Sequence, residues 1–202
     1  MKLYISPGAC SLASHITLRE LGLPFDLDKI NNKTKITSSG GDFLKINPKG
    51  YVPALQLDDG SVLTEGTAIM QYLADKKPEV SMAPANGTLP RYRLQEWLGF
   101  INSEIHKSFS PLFSPDTPEL TKQGAIEKIG KRLDFVEAAL AGKDYLTGNT
   151  FTIADAYLYT VVNWSGFVGI DLAKWPLVKA FHARVGARPS VQAAHAAEKA
   201  AA

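Results

Sequence analysis

A segment rich in proline and glycine divides this chain into two parts with different patterns. Residues 76–90 contain three prolines and one glycine, a density that is typical of a connection between folded units. Before this segment strand and helix patterns alternate, and after it only helix patterns occur. We therefore predict an α+β domain in residues 1–80, a linker in residues 81–88 and an all-α domain in residues 89–202.

The first part predicts a small mixed sheet packed with helices. Asp58, Asp59 and Gly60 separate two short apolar runs and indicate a hairpin turn. A helix pattern opens at Thr64 and Glu65, directly after this hairpin. In chain order, the patterns predict strands in residues 2–5, 25–30, 54–57 and 61–63, helices in residues 10–21 and 42–46, and a polar loop or short helix in residues 31–41.

The second part predicts helices alone. Leu94, Leu98, Ile101 and Ile105 recur at heptad-like spacing and indicate one long helix. Residues 151–168 are strongly apolar, so we expect their helix at the centre of this domain. Further helix patterns lie in residues 126–140, 175–185 and 191–198.

Composition narrows the function classes. With 45% hydrophobic and 21% charged residues, the 202-residue chain has the composition of an ordinary soluble globular protein. A net charge of +2 without a clustered basic stripe argues against a nucleic-acid partner. Apolar runs stay well below the ~20 residues of a membrane span, and the amino terminus leads into a strand pattern rather than a signal peptide. We expect a cytoplasmic protein without a membrane partner.

The one cysteine, Cys10, lies where a helix pattern begins, just after Pro7 and Gly8. A thiol in the first turn of a helix faces unpaired N–H groups and the positive end of the helix dipole, which favour a nucleophilic thiolate. The alternative is a small buried apolar side chain, a common role of unpaired cysteines, and this segment alone favours neither. A single cysteine excludes an internal disulfide and argues against a metal–thiolate cluster.

Two stretches are candidates for binding a peptide-like ligand. Val52-Pro53 precedes a strand, and a cis bond there would turn the Val52 N–H and C=O outward, although local sequence favours an ordinary trans proline. Glu65 and Gly66 stand at a helix start, where backbone donors attract an anion and a carboxylate attracts an ammonium group. The alternative, which local sequence favours, is that Glu65 merely stabilises the helix start.

One face of the predicted long helix carries polar groups. Gly99, Ser103 and His106 are separated by four and three residues and share a face, with Lys107 beside them. Glu104 belongs neither to this face nor to the apolar seam. Such a face forms a polar wall for a reactive thiol, and the alternative is a face that water simply solvates.

The remaining candidates are assigned structural roles. Thr152 and Asp155 have the spacing of a capping box, with Asp in place of the usual Glu, so we favour a structural Asp155 over a catalytic one. His15, His182 and His195 have no partners at ligand spacing, and we interpret them as structural or exposed. The sequence predicts no metal site.

Five stretches, taken together and in order, are family-specific. They are Gly8-Ala9-Cys10-Ser11-Leu12-Ala13, Asn47-Pro48-Lys49-Gly50-Tyr51-Val52-Pro53-Ala54-Leu55, Leu63-Thr64-Glu65-Gly66, Glu104-Ile105-His106-Lys107 and Phe151-Thr152-Ile153-Ala154-Asp155-Ala156-Tyr157. With them the chain resembles, over essentially its whole length, the cytosolic glutathione transferases of the bacterial beta class. The resemblance implies a thioredoxin-like domain followed by an all-helical domain that holds an electrophile site.

The resemblance also implies a glutathione site, with glutathione as co-substrate and no cofactor. Pro53 is then cis, Val52 pairs its backbone with the cysteinyl unit, and Cys10 faces the glutathione sulfur. Cys10 and His106 are the implied catalytic residues. Other implied contacts are Glu65 and Gly66 with the γ-glutamyl end, Lys35 with the glycyl carboxylate, Gly99, Ser103 and His106 from the helical domain, and Glu104 across a homodimer.

Two positions depart from the pattern of similar proteins. Many relatives in other classes have Ser where this chain has Gly66, so only a backbone donor remains here. Beta-class sequences often have Asn at the position of Gly99, so one polar contact is lost and we expect lower affinity. The candidates for the wall of the electrophile site are Phe109, Phe113, Tyr157 and Trp164.

These residues favour conjugation of glutathione to hydrophobic electrophiles. One alternative is a glutaredoxin-like, glutathione-dependent thiol–disulfide exchange through Cys10, which would be monothiol because Ala13 stands where a C-x-x-C pair has its second cysteine. Another is a non-catalytic ligand-binding protein on the same scaffold, although such a protein would not need Cys10, Glu65 and His106 together.

Overall fold

Four short strands form one mixed sheet in the first part of the chain. The structure, a computed structural model, describes residues 1–201. The sheet has the spatial order β2-β1-β3-β4, in which β2 is parallel to β1, and β3 and β4 are antiparallel to their neighbours. This confirms the predicted mixed sheet and its hairpin. The strands are β1 (Lys2–Ile5), β2 (Asp26–Lys29), β3 (Ala54–Gln56) and β4 (Val62–Thr64).

Helices of this first unit pack on the sheet. Tyr4 and Ala54 form one apolar cluster with Phe43. Because side chains alternate along a strand, Leu3 and Leu55 point to the opposite face, where both are fully buried. The helices are α1 (Ser11–Glu20), α2 (Phe43–Ile46) and α3 (Gly66–Lys76), followed by a 3₁₀ turn at Pro78–Val80.

The second unit, residues 84–186, is helical. The predicted seam of Leu94, Leu98, Ile101 and Ile105 is buried as expected. The apolar helix α7 is buried at ten of its eleven positions, which confirms its central place. The helices are α4 (Leu89–Phe100), a π-helical segment (Ile101–His106), α5 (Lys107–Phe113), α6 (Glu119–Ala139), α7 (Ile153–Asn163) and α8 (Pro176–Gly186), with 3₁₀ turns at Trp164–Phe167 and Leu172–Lys174.

The last helix, α9 (Pro189–Ala201), groups with the first unit rather than with the other helices. It packs on α1. Glu198 is only 3% exposed and bonds to His15 of α1, and Glu20 at the end of α1 pairs with Arg188 and Ser190. The predicted all-α range of residues 89–202 therefore differs from this grouping by one helix. Within residues 1–201, no helix is both long and apolar enough to cross a membrane.

Candidate functional site

Cys10 stands at the N-cap of α1, as the sequence predicts. Its backbone is already helical, with φ −60° and ψ −19°. Its Sγ donates to the carbonyl oxygen of Val52 at 3.3 Å, and the side chain is half-buried. The preceding turn is held by Gly8, whose φ of +73° suits glycine and whose N–H donates to Oε2 of Glu198 at 2.8 Å. The nucleophilic thiolate itself stays a prediction.

The bond between Val52 and Pro53 is cis. This confirms what the family resemblance implies, and the trans bond favoured by local sequence is wrong. Val52 is 8% exposed. Its carbonyl oxygen, which lies next to the cis bond, faces the only thiol of the chain.

Glu65 precedes α3 with an unusual backbone, φ +69° and ψ 114°. Its side chain makes no cap hydrogen bond with the helix. The carboxylate instead accepts from Lys49 Nζ at 2.5 Å and from the Tyr51 hydroxyl at 2.8 Å. The hydrogen bond that each donates to Glu65 raises the pKa of Lys49 and also that of Tyr51. No role was predicted for Lys49 or Tyr51, because their long side chains reach Glu65 from 16 and 14 residues away in the sequence.

Lys35 is half-buried in an ordered loop, with a φ of +58°. Its Nζ donates to the carbonyl oxygen of Gly50 at 2.8 Å. The loop is fastened by Asp28, a buried side chain that accepts from Ser38 and Ser39. The structure thus replaces the prediction of a loop or short helix with a loop closed by hydrogen bonds.

Four predicted site residues of the first unit lie beside one stretch, residues 49–53, which we call the 49–53 segment. Cys10 bonds to Val52, Lys35 to Gly50, and Glu65 to Lys49 and Tyr51. Gly66 also belongs to this set, because a Cβ added to it would lie 3.5 Å from Cγ of Pro53. This is an ordinary van der Waals distance, so packing does not force glycine at position 66.

In the second unit, the residues of the predicted polar face have different bonding partners. Ser103 is exposed and donates to the carbonyl oxygen of Gly99 at 3.0 Å, whereas Nδ1 of His106 lies 2.7 Å from the hydroxyl of Tyr157. Ser103 and His106 both lie in the π-helical segment, whose turn is wider than that of an α-helix. Outside the backbone of its own helix, no atom lies within 4 Å of a Cβ added to Gly99, so packing does not force glycine at this position.

His106 has an enclosed, aromatic environment. Its ring centroid lies 4.9 Å from that of Trp164 and 5.8 Å from that of Tyr157. Burial lowers the pKa of His106 to about 4, and the charge of Lys107 acts in the same direction. His106 is therefore neutral at physiological pH. Trp164 also contacts Phe109 and Phe113, with centroids 5.6 Å apart in both pairs, so the four predicted wall residues and His106 form one cluster.

Glu104 is paired within its own unit. Its carboxylate accepts two hydrogen bonds from Arg132, at 2.6 and 2.9 Å, and lies 3.8 Å from Nζ of Lys128. The hydrogen bond from Arg132, followed by the charge of Lys128, lowers the pKa of Glu104. Its role across a homodimer stays a prediction.

The structural assignments agree with the geometry. Asp155 is fully buried. Its carboxylate accepts from the N–H groups of Leu146 and Thr152, both at 2.8 Å, as expected for a capping box. His15 is also fully buried, between Glu198 and Arg19. Burial lowers the pKa of His195.

Comparison with known proteins agrees with both parts of the fold. Residues 8–76 match the family model of the glutathione S-transferase N-terminal domain, and residues 100–189 match that of the C-terminal domain. The chain is 48% identical to glutathione S-transferase GstA of Escherichia coli O157:H7, over 98% of each chain.

Solved structures are similar to this chain in both sequence and fold. The structure of a sphingomonad glutathione S-transferase complexed with glutathione has a TM-score of 0.96 and 48% identity, over 98% of this chain and 99% of that one. A bacterial beta-class glutathione S-transferase of Sphingomonas chungbukensis has a TM-score of 0.95 and 47% identity, over 98% of each chain. The chain therefore belongs to the glutathione S-transferase family, in its bacterial beta class.

Proposed function

We propose that this transferase joins the thiol of reduced glutathione to hydrophobic electrophiles, with the tripeptide bound along the 49–53 segment. The thiol loses its proton, and the sulfur forms a bond to an electrophilic carbon of the second substrate. Where that carbon carries a halogen, the halide leaves with the electrons of the broken bond. The names of the relatives support conjugation over thiol–disulfide exchange or a purely binding role.

One observation carries the proposed binding mode: Cys10, Lys35 and Glu65 all form hydrogen bonds with the 49–53 segment, and Gly66 lies beside it. Glutathione has an ammonium and a carboxylate at one end and a second carboxylate at the other. Glu65 suits the ammonium, and the N–H groups at the start of α3, including that of Gly66, suit the adjacent carboxylate. Lys35 provides the cation for the glycyl carboxylate.

The sulfur lies, in this proposal, beside Cys10. The backbone of Val52 pairs with the cysteinyl unit, and Cys10 Sγ lies 3.3 Å from the Val52 oxygen. Directed hydrogen bonds to the glutathione sulfur then favour its thiolate. Because glutathione brings its own nucleophile, Cys10 supports the reaction without forming a bond to the substrate.

We assign a supporting role to the second unit. His106 is the catalytic residue of this unit, and Ser103 and Gly99 line the glutathione site with their polar groups. The aromatic cluster around Trp164 forms the wall for an apolar electrophile. A homodimer, in which Glu104 reaches the partner's glutathione, and a cytoplasmic location complete the proposal.

The test is retention on immobilised glutathione, followed by conjugation of a chloronitrobenzene. Lys35→Ala should weaken glutathione binding, whereas Lys33→Ala, which removes an exposed lysine from the same loop, should leave it unchanged. Equal effects of the two variants would contradict the assignment of Lys35.

Cys10→Ala distinguishes conjugation from exchange. We expect the variant to retain conjugation and to lose its mixed disulfide with oxidised glutathione, in which Cys10 sulfur attacks one sulfur and releases reduced glutathione. If Cys10→Ala abolishes conjugation, the proposed mechanism is wrong, and thiol exchange through Cys10 replaces it.

A further inference from the structure

We propose that Tyr157 and Asn102 are positioning residues that hold His106 in the tautomer protonated at Nδ1, so that Nε2 is the proton acceptor of the conjugation reaction. The inference rests on the proposed function, because it assumes that His106 acts on the glutathione thiol. Neither Tyr157 nor Asn102 has this role in the sequence patterns described above.

The assignment follows from counting protons. The hydroxyl of Tyr157 lies 2.9 Å from Oδ1 of Asn102 and 2.7 Å from Nδ1 of His106. An amide oxygen only accepts, so the single phenolic proton is donated to Asn102. The phenolic oxygen must then accept from His106, which places the ring proton on Nδ1. In a neutral ring, Nε2 therefore carries the lone pair.

The surroundings keep this tautomer in place. Tyr157 is 4% exposed and lies within α7, the buried helix of the unit. Asn102 belongs to the π-helical segment that also contains His106. The ring of His106 packs at 67° against Trp164, which limits its rotation. Burial and the charge of Lys107 keep the ring neutral before the reaction, so that one ring nitrogen has a free lone pair.

The proton transfer from glutathione involves the hydrogen bonds that connect His106, Tyr157 and Asn102. When the glutathione S–H bond breaks, the proton passes to Nε2 of His106 and the electron pair stays on sulfur. The imidazolium that forms then donates a stronger hydrogen bond from Nδ1 to the Tyr157 oxygen. The hydroxyl of Tyr157 in turn donates to Oδ1 of Asn102. A neighbouring thiolate stabilises this imidazolium, since the two charges titrate as a coupled pair. Tyr157 and Asn102 thus act on this proton transfer through His106.

Nitrogen NMR of the protein labelled at its histidines tests the tautomer directly. In the unchanged protein, we expect the His106 signals to show a protonated Nδ1 and an unprotonated Nε2. Tyr157→Phe should convert them to a mixture of tautomers. Tyr159→Phe is the matched control, because it removes a hydroxyl from the same helix, at a ring that stacks on His182 instead, and it should leave the His106 signals unchanged.

Kinetics test the consequence. A positioned acid or base contributes roughly 10²–10⁴-fold to a rate, and loss of its orientation removes part of that factor. We expect Tyr157→Phe to lower kcat for a chloronitrobenzene about tenfold with little change in KM for glutathione, and Tyr159→Phe to lower neither. Asn102→Leu, at an exposed position, should reproduce the effect if Tyr157→Phe does not fold.

The outcomes separate the inference from the proposed function. A proton on Nε2 in the unchanged protein overturns the tautomer assignment, whatever the activity. A Tyr157→Phe protein with unaltered signals and kcat overturns the positioning role. If the tautomer is as assigned but His106→Ala conjugates as fast as the parent, then the proposed role of His106 fails instead, and the inference about catalysis fails with it.

Discussion

The starts of α3 and α7 each carry an acidic residue, Glu65 at the N-cap of α3 and Asp155 in the first turn of α7, and the two carboxylates have different partners. Asp155 at α7 is fully buried and accepts from the backbone of its own capping box. Glu65 at α3 has a side chain that is 51% exposed and makes no cap bond, because it binds Lys49 and Tyr51. An acidic residue at a helix start therefore does not reveal its role until its burial and partners are known.

The two helix starts differ in whether the carboxylate bonds to backbone N–H groups. At α7, the buried carboxylate accepts from two N–H groups and from the Thr152 hydroxyl. At α3, the carboxylate makes no cap hydrogen bond to the first turn, which begins with Gly66. The following variants test this contrast, from the largest expected effect to the smallest.

Asp155→Ala should have the largest effect, and that effect should be on folding alone. It leaves the buried N–H groups of Leu146 and Thr152 without their acceptor, and each such loss costs roughly 1–3 kcal/mol. We expect urea unfolding to show a decrease of about 2–4 kcal/mol in the free energy of unfolding. The folded fraction should bind glutathione like the parent. Weaker binding by fully folded protein would contradict the structural assignment.

The titration of Asp155 should make the free energy of unfolding decrease as pH rises. Burial raises the pKa of Asp155 to about 6, although hydrogen bonds from Leu146 and Thr152 favour the carboxylate. Between the unfolded pKa of about 3.9 and this value, the folded state binds more protons, so stability falls as pH rises through that range and is level above it.

The expected change in stability is up to about 3 kcal/mol. Urea unfolding of the parent and of Asp155→Asn, from about pH 4.5 to 7.5, isolates it as the difference between the two proteins. A parent that gains stability over the variant as pH rises would show that the hydrogen bonds outweigh burial.

Glu65→Ala should produce the reverse pattern, with a loss of binding and little loss of stability. A lost charge-assisted hydrogen bond to the glutathione ammonium is worth roughly 1.5–3 kcal/mol, or about ten- to a hundredfold in affinity. Titration calorimetry with glutathione measures it. Glu96→Ala is the control, because Glu96 is an exposed carboxylate paired with Arg93 on the surface of α4. A lower melting temperature with unchanged affinity would make Glu65 a structural residue like Asp155.

Features that depend on residues close together in the sequence were predicted correctly. The spacing of Thr152 and Asp155 is sufficient for a capping box, because both partners lie within one turn. The alternating strands and the apolar seam of Leu94 and Leu98 follow from the same local rules.

Features that depend on distant contacts were not predicted from the residues alone. Glu198 and His15 are 183 residues apart in sequence, and an alanine-rich helix gives little sign of where it packs. The π-helical turn accompanies the contact between His106 and Tyr157, 51 residues away. The cis bond before Pro53 was predicted only from the family resemblance, since the local sequence favours a trans bond. The partners of Glu65 illustrate the same limit, because 14 and 16 residues separate it from Tyr51 and Lys49.

The smallest effect should come from Gly66→Ser, and it should be a gain. A Cβ at this position meets only Cγ and Cδ of Pro53, at 3.5 and 3.9 Å, which are ordinary van der Waals distances. A serine hydroxyl in the first turn of α3 adds a donor for the γ-glutamyl carboxylate of glutathione. One net hydrogen bond is worth about 0.5–1.5 kcal/mol, which corresponds to about two- to tenfold tighter binding by titration calorimetry.

Gly66→Ala separates the new donor from the effect of filling space. The alanine methyl group fits equally well and donates nothing, so its affinity for glutathione should equal that of the parent. If serine and alanine tighten binding equally, the gain comes from a stiffer helix start, because both replace the flexible glycine. If neither variant changes the affinity, then the γ-glutamyl carboxylate of glutathione does not bind at the first turn of α3. The contrast between the starts of α3 and α7 then no longer holds.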